Sequence, residues 1–278
     1  MSERIDHVVI NVEKQLDEAA EQYRQLGFTL TPRGHHSLGS SNHLAVFGSD
    51  YLELLGVEPQ NADKFQYPFP TGLSGLVFKT ADAATLWSAL SARSVPLEGT
   101  EPRAFFRPVE LQNGDIREAH FRTVRVAPEE VPNGRVFFCQ HLLPELVWRP
   151  EWQEHANGAI GITEYAYVTP DPKHSAKVLE RVFGASTVTH DVNGAFYHTD
   201  GATVAYLKPE TFRTRYGLAV EQLSAESERA LALTIRTRSL EQARSVLEKS
   251  GITDLVRVGG RLVVSPQFAA GVVLAFEE

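Results

Sequence analysis

The chain has 278 residues, room for one large domain or two ordinary ones, and at 42% hydrophobic and 22% charged it reads as a globular protein. A formal charge of −8 argues against nucleic acid as a partner, no apolar run approaches a membrane span, and the polar start MSERID does not read as a signal peptide. Cys139 is the single cysteine, set in an apolar strand-like run, so it reads as buried and inert in a cytoplasmic protein without disulfides.

Ile5, Val8, Val9 and Ile10 predict a first buried strand, with His7 inside it. A helix follows, with Leu16, Ala19, Ala20, Tyr23 and Leu26 at helical spacing and Gly27 as its C-terminal cap. Three short strand-like runs come next, TLTPRGHHSLGS, NHLAVFGS and DYLELLGV. The same order recurs. GLSGLVFKT leads to a helix with Leu86 and Leu90 on its apolar face, then to strands of which HFRTVRV and RVFFCQHLL are the clearest. GITEYAYVT leads to a helix with Pro172 in its first turn, then to STVTHDV, GAFYHTD and TVAYLKP. RALALTIRT leads to a helix capped by Ser239, then to LVRVGG, RLVVSP and GVVLAFEE.

The register of the units supports a true repeat. Gly27, Gly184 and Gly251 each fall 20 residues after His7, Glu164 and Leu231, while Ser94 or Val95 stands where the second unit lacks its glycine. The expected fold is α+β, four βαβββ modules arranged as two paired half-barrels, each pair leaving a cleft lined by inward strand positions. The polar stretch RPEWQEHANG divides the chain into module pairs at 1–150 and 156–278. Trp148, Trp152 and His155 at this junction read as packing, with a lid over the cleft as the alternative.

Glu53 lies between Leu52 and Leu54 in a core strand, where a carboxylate is costly unless it is paired or bound to a metal. His7 in the first strand and Glu53 in the last strand of one module would lie side by side. With IDHVVINV, the helix ending QLGFTL, and YLELLGV, the chain resembles the vicinal oxygen chelate superfamily and its glyoxalase-like branch (the glyoxalase/bleomycin resistance/dihydroxybiphenyl dioxygenase fold). The motifs carrying this resemblance lie in residues 3–155; beyond them only the repeat pattern continues. GHHSLGSSNHLAVF also resembles that branch's His-rich loop, which places His36 and Asn42 in the substrate pocket.

The resemblance implies a metal slot in the first and last strand of each module. In the first pair His7 and Glu53 fill two slots, and Ser74 or Gly75 offers nothing at the third. At the fourth, matching ELL to HLL selects His141, and a one-residue shift selects Gln140, on the opposite face of the strand. Imidazole is the better ligand, so the expected shell is His7, Glu53 and His141 around one divalent ion, Fe, Mn, Zn, Ni or Co. In the second pair the slots read Glu164, Tyr206, Leu231 and Phe276, which hold no metal. That half would enclose the pocket or form the surface of a homodimer. The implied function is a metal-dependent lyase or isomerase acting on a small oxygen-rich metabolite, ahead of a ring-cleaving dioxygenase. A non-catalytic small-molecule binder of the resistance type is the alternative.

Overall fold

The structure is a computed structural model that describes residues 4–61, 69–217 and 228–278. The first unit is β1 (Ile5–Glu13), α1 (Leu16–Gln25), β2 (Gly34–His35), β3 (Ser40–Val46) and β4 (Tyr51–Val57). The second is β5 (Gly72–Lys79), α2 (Ala83–Ala92), β6 (Arg103–Glu110), β7 (Ile116–Arg125) and β8 (Arg135–His141). The third is β9 (Ala159–Val168), two short helices α3 (Pro172–Ser175) and α4 (Lys177–Phe183), then β10 (Val188–His190), β11 (Gly194–His198) and β12 (Thr203–Leu207). An additional helix, α5 (Pro209–Tyr216), comes before the fourth unit. That unit is β13 (Arg229–Thr237), α6 (Leu240–Lys249), β14 (Leu255–Val258), β15 (Arg261–Val264) and β16 (Val273–Glu277).

Local chemistry explains the helices. The α1 stripe of Leu16, Ala19, Ala20 and Tyr23 is buried as its spacing requires. Asp82 caps α2 by accepting from the N–H groups of Ala84 and Thr85, and Ser239 caps α6 by accepting from Gln242 N–H. Where α1 and α6 are followed by Gly27 and Gly251 at positive φ, α2 is followed by Ser94 at φ +56°, so the missing glycine did not change the turn.

Units pair into two eight-stranded sheets, ordered β2-β3-β4-β1-β5-β8-β7-β6 and β10-β11-β12-β9-β13-β16-β15-β14. In both, the two modules meet at an antiparallel pair of first strands, and each first strand lies parallel to its own module's last strand. The expected α+β fold of paired βαβββ modules is the one observed. Opposite faces of each sheet have different neighbours. Val8, Ile10, Leu52, Leu54, Leu76 and Phe78 join the helices and the corresponding face of the second sheet in one continuous apolar cluster. Phe28 stacks on Phe276 at 6.0 Å, and Phe78 meets Phe183 edge-on at 4.8 Å, so the two halves share a core. Val9, Tyr51, Leu55, Val77 and Phe137 face the other way, into a second cluster beneath the cavity described below. No helix among the described residues is long and apolar enough to cross a membrane.

Sheet register corrects the expected slots of the second half. Glu164 stands opposite Thr234, and Ala166 opposite Ala232, about the central pair Tyr165 and Leu233. The counterparts of His7 and Glu53 are therefore Glu164 and Ala205, and those on the paired module are Ala232 and Ala275. Tyr206 and Phe276 point one residue away, into the shared core, because adjacent strand residues face opposite sides. The small alanines leave room for α5, whose Phe212 and Tyr216 are fully buried against them. Glu164 is held by Tyr216 Oη at 2.5 Å and Arg261 Nη1 at 3.1 Å, and by both Arg215 Nε at 2.8 Å and Nη2. Burial opposes its charge, but these bonds and cations keep the carboxyl below its ordinary range. The second cleft is filled.

Candidate active site

One irregularity in β1 starts the site. Ile5 pairs with Phe78 and His7 with Val77, so Asp6 is an extra residue in the ladder with β5. A bulge of this kind re-aims side chains, and here it lets the neighbours Asp6 and His7 meet on one side. Asp6 is 1% exposed and accepts from His7 Nδ1 at 2.7 Å and His141 Nε2 at 2.9 Å. Lys79 Nζ lies 3.4 Å from its other oxygen. Burial alone would raise the Asp6 carboxyl; the charge and hydrogen bonds of His141 and His7 hold it far below the usual range instead.

With Nδ1 engaged by Asp6, His7 presents Nε2 toward the cavity. Its ring lies flat on Tyr51, centroids 4.4 Å apart, and Phe137 closes on its edge at 5.8 Å. The parallel register of β1 and β4 sets Tyr51 opposite His7 and Glu53 opposite Val9, which puts Glu53 on the same face. Glu53 Oε2 lies 3.7 Å from His7 Nε2, and Oε1 lies 3.9 Å from His36 Nε2. Asn42 Nδ2 donates to Glu53 Oε1 at 2.7 Å and also lies 3.1 Å from His36 Nε2. Ser40 Oγ holds His36 Nδ1 at 2.8 Å. Burial pushes His36 down to about 4 against the pull of Glu53, so its ring is neutral at neutral pH. Burial works against ionisation of Glu53, yet nearby positive charge and the Asn42 bond keep that carboxyl lowered.

His7, Glu53, His36 and Asn42 thus line one cavity of about 170 Å³. His141, the third residue of the expected shell, is not among the residues lining this cavity; its Nε2 meets Asp6 Oδ2 at 2.9 Å. Phe137 pairs with Val77 as Glu53 pairs with Val9, so Phe137 is the counterpart of Glu53, and His141 lies four residues further along β8. The match of ELL to HLL had the wrong register. Gln140 faces elsewhere, donating to Ala81 O at 2.8 Å and accepting from Ala83 N–H at 3.1 Å at the start of α2. At the third slot Gly75 is the counterpart of His7. A Cβ there would come within 2.7 Å of Val9, so no ligating side chain fits.

Two donor sets bear on a metal. Glu53 reaches the two imidazoles through different oxygens, Oε2 at 3.7 Å from His7 and Oε1 at 3.9 Å from His36, gaps too long for hydrogen bonds. A carboxylate holding the far nitrogen of His7, as Asp6 does, is the usual partner of a metal-bound imidazole. By donor type, two imidazoles and a carboxylate, this set suits a divalent ion. Asp6, Cys139 and His141 also bring ligand atoms within 4.8 Å of one another. Both sets also make hydrogen bonds: in the first, Asn42 Nδ2 lies 2.7 Å from Glu53 Oε1 and 3.1 Å from His36 Nε2. In the second, Asp6 Oδ2 accepts from both imidazoles, and burial plus the charges of Asp6 and Glu53 raise the Cys139 thiol well above its ordinary value.

The remaining expected residues are structural. Trp148 packs on His141 at 4.8 Å and carries Lys79 on its face at 4.0 Å. His155 accepts from Thr29 N–H and donates to Val46 O, fastening the stretch between the module pairs to the first half. Three site-shaping residues had no sequence reading: Asp6, Tyr51 and Arg107. The last is 3% exposed on β6 and lines the cavity.

Paired βαβββ modules around a buried His–Glu cavity define the vicinal oxygen chelate architecture. A family model described as a glyoxalase-like domain matches residues 5–183, and the chain belongs to that family. No curated protein matches the sequence. Among solved structures, a hypothetical protein from Staphylococcus aureus is similar at TM-score 0.68 and 11% identity, over 98% of each chain. A mutant 4-hydroxymandelate synthase from Streptomyces coelicolor is similar at TM-score 0.59 and 12% identity, over 99% of this chain and 92% of that one. A fusion of a xylose isomerase-like TIM barrel with a 4-hydroxyphenylpyruvate dioxygenase gives TM-score 0.57 and 11% identity, over 99% of this chain and 48% of that one. At these identities the likeness is one of fold.

Proposed function

We propose that the chain is a divalent-metal-dependent enzyme whose cavity in the first sheet takes a small oxygen-rich substrate, with His7, Glu53 and His36 as the residues that hold the ion. The observation that carries this reading is His7 itself, its Nδ1 taken by Asp6 and its Nε2 facing Glu53. When bound, the ion supplies Lewis acidity to a substrate oxygen. The chain's own residues do the rest. Asp6 fixes the His7 tautomer, Tyr51 fixes the plane of its ring, and Asn42 orients Glu53. Phe137 and Tyr51 exclude water on one side of the pair. A lyase or isomerase that moves a proton next to a polarised oxygen is the first reading, and a ring-cleaving dioxygenase the second. The relatives named for 4-hydroxymandelate synthase and 4-hydroxyphenylpyruvate dioxygenase support a cavity for small organic molecules.

The second reading, a binder without catalysis, is favoured by Gly75 and Phe137 at the two remaining slots, which leave the ring of ligands incomplete. Titration of purified protein with Fe(II), Mn, Ni, Co or Zn separates the two. About one ion per chain is expected, with affinity weakened by orders of magnitude in His7→Ala and Glu53→Gln and several-fold or less in His141→Ala. Wild-type affinity in both His7→Ala and Glu53→Gln would remove the metal reading.

A further inference from the structure

The charge of the cavity is the reverse of the protein's. Against a chain total of −8, the ionised side chains lining it among the described residues are Arg103, Arg107, Arg125 and Arg135, with Glu53 as the one carboxylate. Like charges in a half-dry cavity repel, and burial with Arg135 alongside brings Arg125 down to about 10.

Arg107 is the most telling of the four. It is 3% exposed, and its Nη2 is buried with no hydrogen-bond partner among the described residues. A desolvated guanidinium with an unmet donor is costly, so such a group points to a ligand. Room for it is built into the backbone. A Cβ on Gly34 would lie 2.8 Å from Arg107 Nη1 and 2.4 Å from Asn42 Oδ1, so any side chain there would displace both. Phe105 lies two residues before Arg107 and on the same face of β6. Phe105 stacks on Phe121 at 4.9 Å and meets His36 edge-on at 5.4 Å. A cation, a flat apolar wall and the His36–Glu53 pair therefore adjoin one another.

We propose that this cavity binds an organic carboxylate with a flat apolar body, the carboxylate on Arg107 and the body against Phe105, Phe121 and Phe137. The proposal rests on reading the cavity as the substrate site, and it names the substrate class. Arg107 is suited to the role because its planar fork matches a carboxylate in shape as well as charge.

Benzoate is the probe, titrated into metal-free protein and followed by calorimetry and melting temperature, beside neutral benzyl alcohol and inorganic phosphate. Saturable benzoate binding is expected, with no comparable effect of benzyl alcohol and weaker binding of phosphate. Arg107→Met should weaken benzoate binding about tenfold or more. Its own melting temperature without ligand should equal or exceed the wild type's, because a desolvated guanidinium with an unmet donor has gone. Arg122→Gln, which removes an exposed arginine from β7, should bind benzoate normally. Should Arg107→Met not fold, Arg107→Lys keeps the charge without the fork and should still bind several-fold more weakly. Undiminished benzoate affinity in the folded Arg107 variant would overturn the proposal, as would benzyl alcohol or phosphate binding as tightly as benzoate. Because no metal is present, the two readings fail separately. Benzoate bound through Arg107 by a protein that binds no ion would leave this inference standing and remove the metalloenzyme.

Discussion

Asp6 owes its influence to one bulged position. Its carboxylate ties His7 on one side and His141 on the other, with Lys79 at its second oxygen. Asparagine there has the same shape but no charge, so its one amide oxygen meets the two imidazoles as a neutral and weaker acceptor. Partners of this kind tune metal affinity by about 10–100-fold, so Asp6→Asn should lower affinity by that much while His7 remains in place. Metal titration with a melting curve checks this. Unchanged affinity would reduce Asp6 to a structural tie. His141 then has its proper role: it completes the hydrogen bonds of Asp6 and packs on Trp148, at one remove from the cavity.

At the scale of elements, the start of β4 carries a conflict between the halves. Asp50, 9% exposed, accepts from Ile162 N–H of β9 at 3.0 Å. Burial pushes its carboxyl up from 3.8 to about 7, with the Ile162 bond working the other way. Between those two values the folded chain keeps a proton that the unfolded chain releases. The stability tied to that proton is fully present below pH 3.8 and is lost as pH rises through 7. A shift of that size corresponds to a few kcal/mol, on the order of 1.4 per unit. Asp50→Asn keeps the acceptor and never ionises. It should melt above the wild type at about pH 8, the gap closing toward about pH 4. Parallel melting curves across that range would show that Asp50 carries no such burden.

For the whole molecule, pseudo-symmetry gives two equivalent clefts with unequal fates. The first stays open around His7 and Glu53; the second is closed by α5 and by the Glu164 cluster. What the second half contributes is core. Phe28, Phe78 and Phe138 of the first half pack on Phe276, Phe183 and Tyr197 of the second. Uncovering three such rings costs roughly 2–3 kcal/mol each. That is a large share of a domain's total stability of about 5–15 kcal/mol. Residues 1–158 expressed alone should therefore fail to melt cooperatively and should bind a hydrophobic dye. A cooperative transition with intact metal affinity would show that the first module pair is self-sufficient.

The sequence by itself determined the fourfold recurrence of the elements, because periodicity of 3.6 or 2 and the capping residues Gly27 and Ser239 are local signals. The repeat set His7 and Glu53 side by side, since first and last strands of a module are neighbours, and the family resemblance set His36 and Asn42 in the pocket; all four line one cavity. Only the tertiary structure decided the rest. Whether His141 or Phe137 answers Glu53, and whether Tyr206 or Ala205 faces the second cleft, turns on a register that strand pairing sets. With a side-chain period of two, a shift of one residue reverses the face. The bulge that turns Asp6 toward His7, the close approach of Gly34 to Arg107, and the helix α5 that fills the second cleft are likewise long-range. Each depends on what lies across the sheet, and nothing in a residue's near neighbours along the chain encodes that.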